Sequence, residues 1–336
     1  MINFNYLVYG MTPEGASTLL LGRPGRGKSW FASAIAVAVA TGSRCLDRFN
    51  TRQVPVVIID EDTPTLTLDW RLQRLLQFLN LERSQVPLHV WSMSGWRLDI
   101  PTDVDKLITF AGCLTTPVLV VIDCLDSVLS RLDTNKTKDA SAIGQIITMI
   151  KNAGITPLIV HHMSSKGVAD DAMWRSDSDF TRYSMGNTKL IAFSDTVLGM
   201  WQLSEEPTVF VVRTKARRIP LEVPEKFAVY LREDIEKTWV NLQYDEELPV
   251  IPSDDDIQIA GLFVNNPGEK YTVKETMFQT GELISIADLR VTLKRLERHQ
   301  IIKLSRQPHN LYVYGLDPGF YNLHSYYSDA IRKGNS

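Results

Sequence analysis

Residues 22–29 read GRPGRGKS, and this short segment constrains the fold of the chain more than any other part of the sequence. It fits the pattern G-x-x-x-x-G-K-[ST] of a phosphate-binding P-loop, in which glycines let successive backbone amides face an anion. The apolar run Thr18–Leu21 before it predicts a strand, and the apolar run Trp30–Ala40 after it predicts a buried helix ended by Gly42. A strand, a loop and a helix in this order predict a nucleotide-binding site.

The motif also predicts how the nucleotide and its metal ion are held. Lys28 would neutralise the β- and γ-phosphates, and the hydroxyl of Ser29 would ligate Mg²⁺. ATP and Mg²⁺ are therefore the expected ligands. The predicted nucleotide-binding residues are Gly22, Arg23, Pro24, Gly25, Arg26, Gly27, Lys28, Ser29 and Trp30.

Strand and helix patterns alternate between residues 16 and 245. Strands are predicted at 54–60, 117–123, 156–161, 196–202 and 208–213, and helices at Leu68–Leu79, Asp103–Cys113 and Ala140–Ala153. Several of the strand runs are continuously apolar, which is typical of parallel strands covered on both faces. The alternation predicts an α/β fold with a mainly parallel sheet. Polar stretches at 130–139 and 163–187 interrupt it, and the second is too long for a simple connection, which predicts a functional or mobile loop.

The composition is that of an ordinary globular protein, with 44% hydrophobic and 22% charged residues among 336. No apolar run is long enough to span a membrane, and the N-terminus has no signal-type pattern. Cys45, Cys113 and Cys124 have neither metal-ligand spacing nor an even number, which predicts a reducing cytoplasm. Because the net charge is −3, any nucleic-acid binding must come from local basic patches.

A second domain is predicted after the acidic, proline-containing stretch DEELPVIPSDDD. Three helices (Ile257–Val264, Val273–Thr280 and Ser285–His299) precede two strands (Ile301–Leu304 and Leu311–Tyr314), joined by a turn at 307–310. Helices followed by a hairpin in this order are typical of a winged helix-turn-helix. The predicted domains are 1–247 (ATPase core), 248–256 (linker), 257–318 (winged helix) and 319–336 (tail).

Two strand ends supply the carboxylates that ATP hydrolysis needs. Asp123 ends the run PVLVVID, and ligands of open parallel sheets bind at such carboxyl ends, so we predict that it holds Mg²⁺ together with Ser29. The alternative for Asp123 is a helix cap or turn former. Residues 56–62 read VVIIDED, and we predict Glu61 as the base that activates water, with Asp60, Asp62 or a merely solvated acidic loop as alternatives.

The order of these features resembles the RecA-like P-loop ATPases, and most of all the plasmid RepA-type hexameric replicative helicases (AAA_25-like) with their DnaB-like relatives. In that family, the strand after the P-loop ends in Glu and begins a Glu-Asp-x-Pro run that an Arg-Leu pair follows. Here the corresponding residues are 61–64, reading EDTP, and Arg71-Leu72. The segment LIVHHMSSKG at 158–167 is similar to the family's His-His-x-Ser-Lys-Gly. The resemblance covers residues 6–245.

The resemblance implies roles for further residues. Glu61 would be the catalytic base, and His162 would be the γ-phosphate sensor that couples the nucleotide state to the following loop. Lys215 and Arg217 match the family's Lys-x-Arg, which completes the site of a neighbouring subunit in a ring, expected to be a hexamer. From the residues alone, the histidines could be a packed pair, and the basic strand could discourage aggregation or contact nucleic acid.

The same resemblance places the two polar loops in a central channel, where they would contact single-stranded DNA. Basic residues interleaved with Trp174, Phe180 and Tyr183 suit phosphate contacts and base stacking, although several aspartates allow a solvated mobile loop instead. In the C-terminal unit, Arg290, Lys294 and Arg298 share one helix face, which predicts contact with duplex DNA or, alternatively, a protein-binding winged helix. The predicted nucleic-acid residues are Lys136, Lys138, Lys166, Arg175, Arg182, Arg290, Lys294 and Arg298.

Taken together, these features predict an ATP-driven DNA motor, a RepA-type ring helicase that replicates a plasmid, phage or other mobile element. One alternative is a DNA-binding ATPase that does not unwind, such as a loader or a regulator of recombination or transposition. Another is a KaiC-like regulatory ATPase whose winged helix binds protein. A plain RepA-type helicase does not need a winged helix, so the added domain predicts recruitment or site recognition.

Overall fold

A computed structural model describes residues 5–163, 179–186, 188–202, 208–234, 236–245, 254–281, 285–286, 289–290, 292–293, 296, 302–307 and 311–316. The chain divides into two compact units, Met1–Pro249 and Val250–Ser336. No helix in these described ranges is both long and apolar enough to cross a membrane.

The first unit contains strands and helices in alternation, as the sequence pattern predicted. The strands are β1 (Tyr6–Val8), β2 (Thr12–Pro13), β3 (Thr18–Gly22), β4 (Val56–Asp60), β5 (Leu88–Ser92), β6 (Val118–Asp123), β7 (Ile155–His162), β8 (Thr196–Gln202), β9 (Val209–Ala216), β10 (Lys226–Glu233) and β11 (Val240–Asp245). The helices are α1 (Lys28–Thr41), α2 (Thr65–Phe78), α3 (Pro101–Gly112), α4 (Thr137–Asn152) and α5 (Lys189–Phe193).

Nine of the described strands of this unit form one sheet in the order β11-β10-β9-β8-β3-β7-β6-β4-β5. The six strands from β8 to β5 in that order run parallel, and β9, β10 and β11 extend the sheet antiparallel. The predicted α/β fold with a mainly parallel sheet is confirmed. Strand β3 lies between β7 and β8, so the P-loop that follows β3 begins near the middle of the sheet. The ends of β6 and β4 lie on the β7 side of the P-loop.

Helix α1 lies in the main hydrophobic core. Ten of its fourteen residues are buried, so the helix is apolar around most of its circumference, as a helix covered on several sides must be. It packs against the sheet, α2 and β11, and Gly42 ends it with φ of 73°. The rigid packing of α1 fixes the position of the P-loop at its first turn.

Several element boundaries differ from those that the sequence predicted. Helix α2 begins at Thr65, directly after Pro64, and α3 begins with Pro101, a residue well suited to a first helical turn. The stretch 130–139 is not all loop, because α4 begins at Thr137. Strand β5 had not been predicted, since its side chains are half-buried and include His89.

The second unit is smaller. It contains α6 (Asp254–Asn265), β12 (Lys270–Tyr271), α7 (Val273–Gln279), β13 (Ile302–Gln307) and β14 (Leu311–Leu316), and the three strands form a sheet in the order β12-β14-β13. Thr272 and Glu275 form a capping box at the start of α7. The core residues are Ile259, Ala260, Phe263, Leu289, Leu293, Leu296, Ile302 and Tyr314.

The predicted third helix, Ser285–His299, lies partly outside the described residues. Leu289, Leu293 and Leu296 are buried, as their helical spacing predicted, whereas Ile286 is 40% exposed and does not belong to the core. The tail 319–336 also lies outside the described residues. The winged helix therefore stays a prediction.

Candidate active site

The P-loop connects the end of β3 to the start of α1. Gly25 and Gly27 have φ of 72° and 73°, a backbone region that glycine enters without steric cost. A Cβ atom added to Gly27 would lie 2.5 Å from the ring of Phe210 on β9, so only glycine fits there. The loop thus ends at a helix N-terminus with its amide groups available, which is an arrangement suited to phosphate.

Lys28 is buried at this turn, with only 5% of its surface exposed. Its ammonium group donates to the backbone oxygen of Arg23 over 2.8 Å and lies 3.4 Å from Nδ1 of His162. Burial lowers the pKa of Lys28, although the charge of Asp123 opposes that shift. A buried cation that donates to these two neutral groups is well placed to bind an anion.

The contact with Lys28 fixes the proton on His162. An ammonium group only donates, so Nδ1 of His162 must accept, and the single proton of the neutral ring lies on Nε2. Nε2 faces the sulfur of Cys124 at 3.5 Å. Burial and then the charge of Lys28 lower the pKa of His162, which favours this neutral form.

The predicted magnesium residues lie together. The side chain of Ser29 hydrogen-bonds to Asp123, which is 6% exposed at the end of β6. Burial, with the charge of the neighbouring Asp60, raises the pKa of Asp123 to about 6, while the Ser29 hydrogen bond and the charges of Arg71 and Lys28 act against that rise. The nearby cations do not fully compensate the negative charge of the two carboxylates, and a divalent ion would do so. Mg²⁺ prefers oxygen ligands, so the Ser29 hydroxyl and the Asp123 carboxylate would hold it.

Asp60 lies behind Asp123. The register of β4 and β6 pairs these two residues, and Asp60 is fully buried. Its Oδ1 accepts from the amides of Asp62 and Thr63, at 3.0 and 2.7 Å, so this carboxylate shapes the turn after β4. Asp60 is therefore poorly placed to activate water.

Arg71 supplies positive charge to this pair of carboxylates. It is 9% exposed, its charge acts on both Asp60 and Asp123, and its guanidinium lies 5.4 Å from the ring centre of Trp30. Sequence analysis noted Arg71 only as part of a motif. Its position in the second turn of an amphipathic helix gave no sign that it points into the site.

The structure separates the two remaining candidates for the base. The carboxylate of Glu61 accepts hydrogen bonds from residues 94–97, and its side chain is only 4% exposed. Asp62 is exposed, and its negative charge acts on Lys28, Cys124 and His162. In this conformation, the charge of Asp62 acts on Lys28, whereas the Glu61 carboxylate is held by residues 94–97.

Lys215 and Arg217 lie at the end of β9. Lys215 forms an ion pair with Asp179, whereas Arg217 is exposed and its amide donates to the backbone oxygen of Asp195 over 3.0 Å. Phe210, at the other end of β9, touches the P-loop. The structure therefore does not bring Arg217 to the P-loop of its own chain.

The two predicted channel loops follow β6 and β7. Lys136 and Lys138 are exposed at the start of α4, and Arg182 is exposed with its guanidinium over the ring of Tyr183. Lys166, Trp174 and Arg175 lie outside the described residues. Phe180 is buried against Trp201, so the prediction that it stacks on bases is wrong.

In the second unit, only part of the predicted basic helix face is described. Arg290 is exposed, and Lys294 and Arg298 lie outside the described residues. These residues stay a predicted nucleic-acid surface.

Comparison with known proteins agrees with this geometry. Residues 3–168 match the AAA domain family AAA_25. Among solved structures, one described as an ATPase domain superposes with a TM-score of 0.51 at 15% identity, covering 69% of this chain and 86% of that one.

A KaiC-like protein, PH0186 from the hyperthermophilic archaeon Pyrococcus horikoshii OT3, superposes with a TM-score of 0.46 at 14% identity, covering 72% of this chain and 99% of that one. No curated protein matches the sequence. The matched segment contains the P-loop and the ends of β4, β6 and β7, which together form the site. The first unit therefore has the fold of the RecA-like P-loop ATPases, and residues 3–168 of the chain match the AAA domain family AAA_25.

Proposed function

We propose that this ATPase is a DNA motor, a ring helicase of the RepA type that acts in replication of a plasmid, phage or other mobile element. The observation that carries the proposal is the connection between the site and two loops. The side chains that would meet ATP and Mg²⁺ lie at the ends of β6 and β7, and the same strand ends continue into the two polar loops. A change at the phosphates would thus reach both loops directly.

In the proposed mechanism, Lys28 and the P-loop amides bind the phosphates, and Ser29 and Asp123 hold Mg²⁺. The ion would neutralise the charge that develops on the phosphate oxygens. Glu61 orients and deprotonates the attacking water after it turns toward the P-loop. Asp62 is the alternative base, because its charge acts on Lys28 and His162.

Hydrogen bonds at the end of β7 support a coupling path from the site to the second loop. The backbone oxygen of His162 accepts from the amide of Met185 over 2.9 Å, and Met163 forms a bridge with Ser184. The ring of His161 reaches the backbone oxygen of Met185 over 2.9 Å. A shift of His162 on loss of the γ-phosphate would therefore move the segment on which the loop returns.

The first loop is tied to the same segment. A Cβ atom added to Gly186 would lie 2.8 Å from the backbone oxygen of Thr134, so the two loops touch there. The exposed Lys136, Lys138 and Arg182 would then follow the backbone of a single strand, and Tyr183 would stack on a base. Duplex DNA would bind at the C-terminal unit through Arg290 and its predicted helix face.

The ring itself is part of the proposal. Arg217 would complete the site of the next subunit, as the trans arginine does in the family that the sequence resembles. We place the protein in the cytoplasm, because its three cysteines, Cys45, Cys113 and Cys124, are all unpaired thiols.

The test is steady-state ATP hydrolysis with and without single-stranded DNA, with Lys28→Ala as the blank. A motor should be stimulated several-fold by single strands and more weakly by duplex, and the stimulation should fall with rising salt because phosphate contacts release counterions. A strand-displacement assay then separates a helicase from a DNA-binding ATPase that does not unwind. Hydrolysis that is indifferent to both forms of DNA at low salt would contradict the proposal and favour an ATPase regulated by protein.

A further inference from the structure

We propose that residues Ser94–Arg97 form a clamp that holds the carboxylate of Glu61 in a resting position, from which it must be released before ATP is hydrolysed. Ser94 and Arg97 are then positioning residues that control when the base acts. The inference rests on the proposed function, because it takes Glu61 as the base.

The clamp contacts both oxygens of Glu61. Oε1 accepts from the amide of Ser94 at 2.9 Å, the hydroxyl of Ser94 at 2.8 Å and the amide of Trp96 at 3.2 Å. Oε2 accepts from the amide of Gly95 at 3.1 Å and from the Arg97 guanidinium at 3.4 Å. Within the described part of the chain, five donors thus converge on one carboxylate.

This number of donors leaves the carboxylate with no acceptor capacity for water. An ionised carboxyl group has about four lone-pair positions, and the clamp fills all of them. A general base must accept a proton from the water that it activates, at hydrogen-bond distance. Glu61 in the clamp therefore cannot act as the base.

Hydrogen bonds that do not involve Glu61 hold the clamp in place. The indole Nε1 of Trp96 donates to the backbone oxygen of Asp103 over 2.8 Å, and the amide of Arg97 donates to Oδ2 of Asp103 over 3.1 Å. The amide of Met93 is held by the backbone oxygen of Asp60 at 3.0 Å. Because these bonds fix the segment to the start of α3 and the end of β4, the clamp is preformed and can receive Glu61 again after each turnover.

Release requires only rotation of the Glu61 side chain. The backbone on both sides of Glu61 is fixed, since its amide donates to the backbone oxygen of Asp123 over 3.2 Å and Asp60 caps the following turn. Release would therefore change only the side-chain torsions of Glu61. The side chains of Lys28 and Asp123 make none of the clamp's hydrogen bonds, so ATP could bind while Glu61 is clamped. Hydrolysis would begin only after Glu61 is released.

The experiment compares kcat and KM for ATP in Ser94→Ala, Arg97→Gln and Arg97→Lys with the wild type. Both side chains are partly or fully exposed, so these changes should leave the fold intact. A weakened clamp should raise kcat by up to about tenfold at unchanged KM, because each variant removes a hydrogen bond to a charged group. Arg97→Lys, which keeps a cationic donor, should lie between Arg97→Gln and the wild type.

Arg52→Gln is the matched control, because Arg52 pairs with Glu14 on the surface. A kcat that falls or stays constant in both Ser94→Ala and Arg97→Gln would overturn the clamp. Glu61→Gln separates this failure from failure of the proposed mechanism. If Glu61→Gln abolishes hydrolysis while the clamp variants have no effect, Glu61 is the base but is not restrained, whereas wild-type hydrolysis in Glu61→Gln would refute its role as base and the clamp with it.

Discussion

Among single residues, Asp195 connects the stability of the ATPase unit to the position of the proposed trans arginine. It is 5% exposed and accepts from the amide and hydroxyl of Ser17, at 2.8 and 3.0 Å, and from Lys151. Its own backbone oxygen accepts from the amides of Arg217 and Arg218. One residue thus joins the start of β3, the end of α4 and the turn after β9.

We expect Asp195→Asn to lower the free energy of unfolding by about 3 kcal/mol at pH 7, because it leaves Lys151 without its carboxylate partner. Burial alone would raise the pKa of Asp195, but hydrogen bonds from Lys151 and Ser17 outweigh it and hold the pKa below its ordinary value. A carboxyl group whose folded-state pKa is depressed stabilises the protein above its unfolded-state pKa and ceases to do so as the pH falls through the folded-state pKa.

The difference between wild type and Asp195→Asn should therefore be constant from about pH 8 to pH 5 and shrink below about pH 4. Urea unfolding followed by tryptophan fluorescence measures it, since all seven tryptophans precede residue 250 and report on the first unit alone. Asp105→Asn, an exposed substitution on α3, is the control and should change stability little. A difference that persists unchanged at pH 3.5 would contradict the account.

At the residue scale, motif and strand end together predicted where Lys28, Ser29 and Asp123 lie. The backbone geometry of a P-loop fixes the position of its lysine. A residue at the carboxyl end of a buried parallel strand lies at the edge of the sheet where ligands bind, so its position is also predictable. The orientation of Glu61 could not be predicted in this way. It depends on donors more than thirty residues away, in a loop after a strand that the sequence pattern did not reveal.

At the scale of elements, one buried aromatic side chain packs the segment 179–186 against the sheet, in addition to the hydrogen bonds at the end of β7. Phe180 is 2% exposed, its ring meets Trp201 edge to face with centres 5.6 Å apart, and the guanidinium of Arg213 lies 5.2 Å from its centre. Gly199 on β8 makes room for it, because a Cβ atom there would lie 2.7 Å from the ring. The segment is therefore a packed element, although it ends a long polar stretch.

We expect Phe180→Ala to destabilise the first unit by about 3 kcal/mol, because the lost ring leaves a cavity between Trp201 and Arg213. Since the segment returns the second loop to His162, the same change should reduce stimulation by single-stranded DNA while the affinity for ATP stays constant. Urea unfolding and DNA-stimulated ATP hydrolysis measure the two effects. Tyr183→Ala is the control for stability and should leave it unchanged, while equal destabilisation by both variants would contradict this packing.

The elements that the sequence predicted best are those with continuous apolar runs. Strands β4, β6 and β8 were predicted to within two residues of their ends, because strands covered on both faces have no polar alternation to obscure them. Helix starts were predicted three residues too late for α2 and α4, since their polar first turns carry no apolar periodicity. The ordered segment 180–183 was missed because a phenylalanine among aspartates suggested a loop.

At the scale of the whole molecule, the position of Arg217 determines whether one chain can complete its own site. Strand β9 runs antiparallel to β8, so that Phe210 at its start touches the P-loop and Ala216 at its end pairs with Thr196 at the opposite edge. At about 3.3 Å per residue, the strand separates Arg217 from the P-loop by about 23 Å. Within the described part of the chain, the Arg217 side chain is exposed on a turn whose backbone amide is bonded to Asp195, away from the P-loop of its own chain. This position is compatible with the proposed contact with the nucleotide of another subunit.

We therefore expect Arg217→Ala and Lys28→Ala each to abolish ATP hydrolysis alone and to restore part of it when mixed. In a mixed ring, an interface is active when the Arg217→Ala subunit supplies the P-loop and the Lys28→Ala subunit supplies the arginine. Random mixing in equal amounts places about a quarter of the interfaces in this arrangement, which sets the expected activity relative to wild type. Steady-state ATP hydrolysis after subunit exchange measures this activity, and each variant alone at doubled concentration is the control. The trans role is excluded if mixing restores no hydrolysis. It is also excluded if Arg217→Ala alone hydrolyses ATP at the wild-type rate.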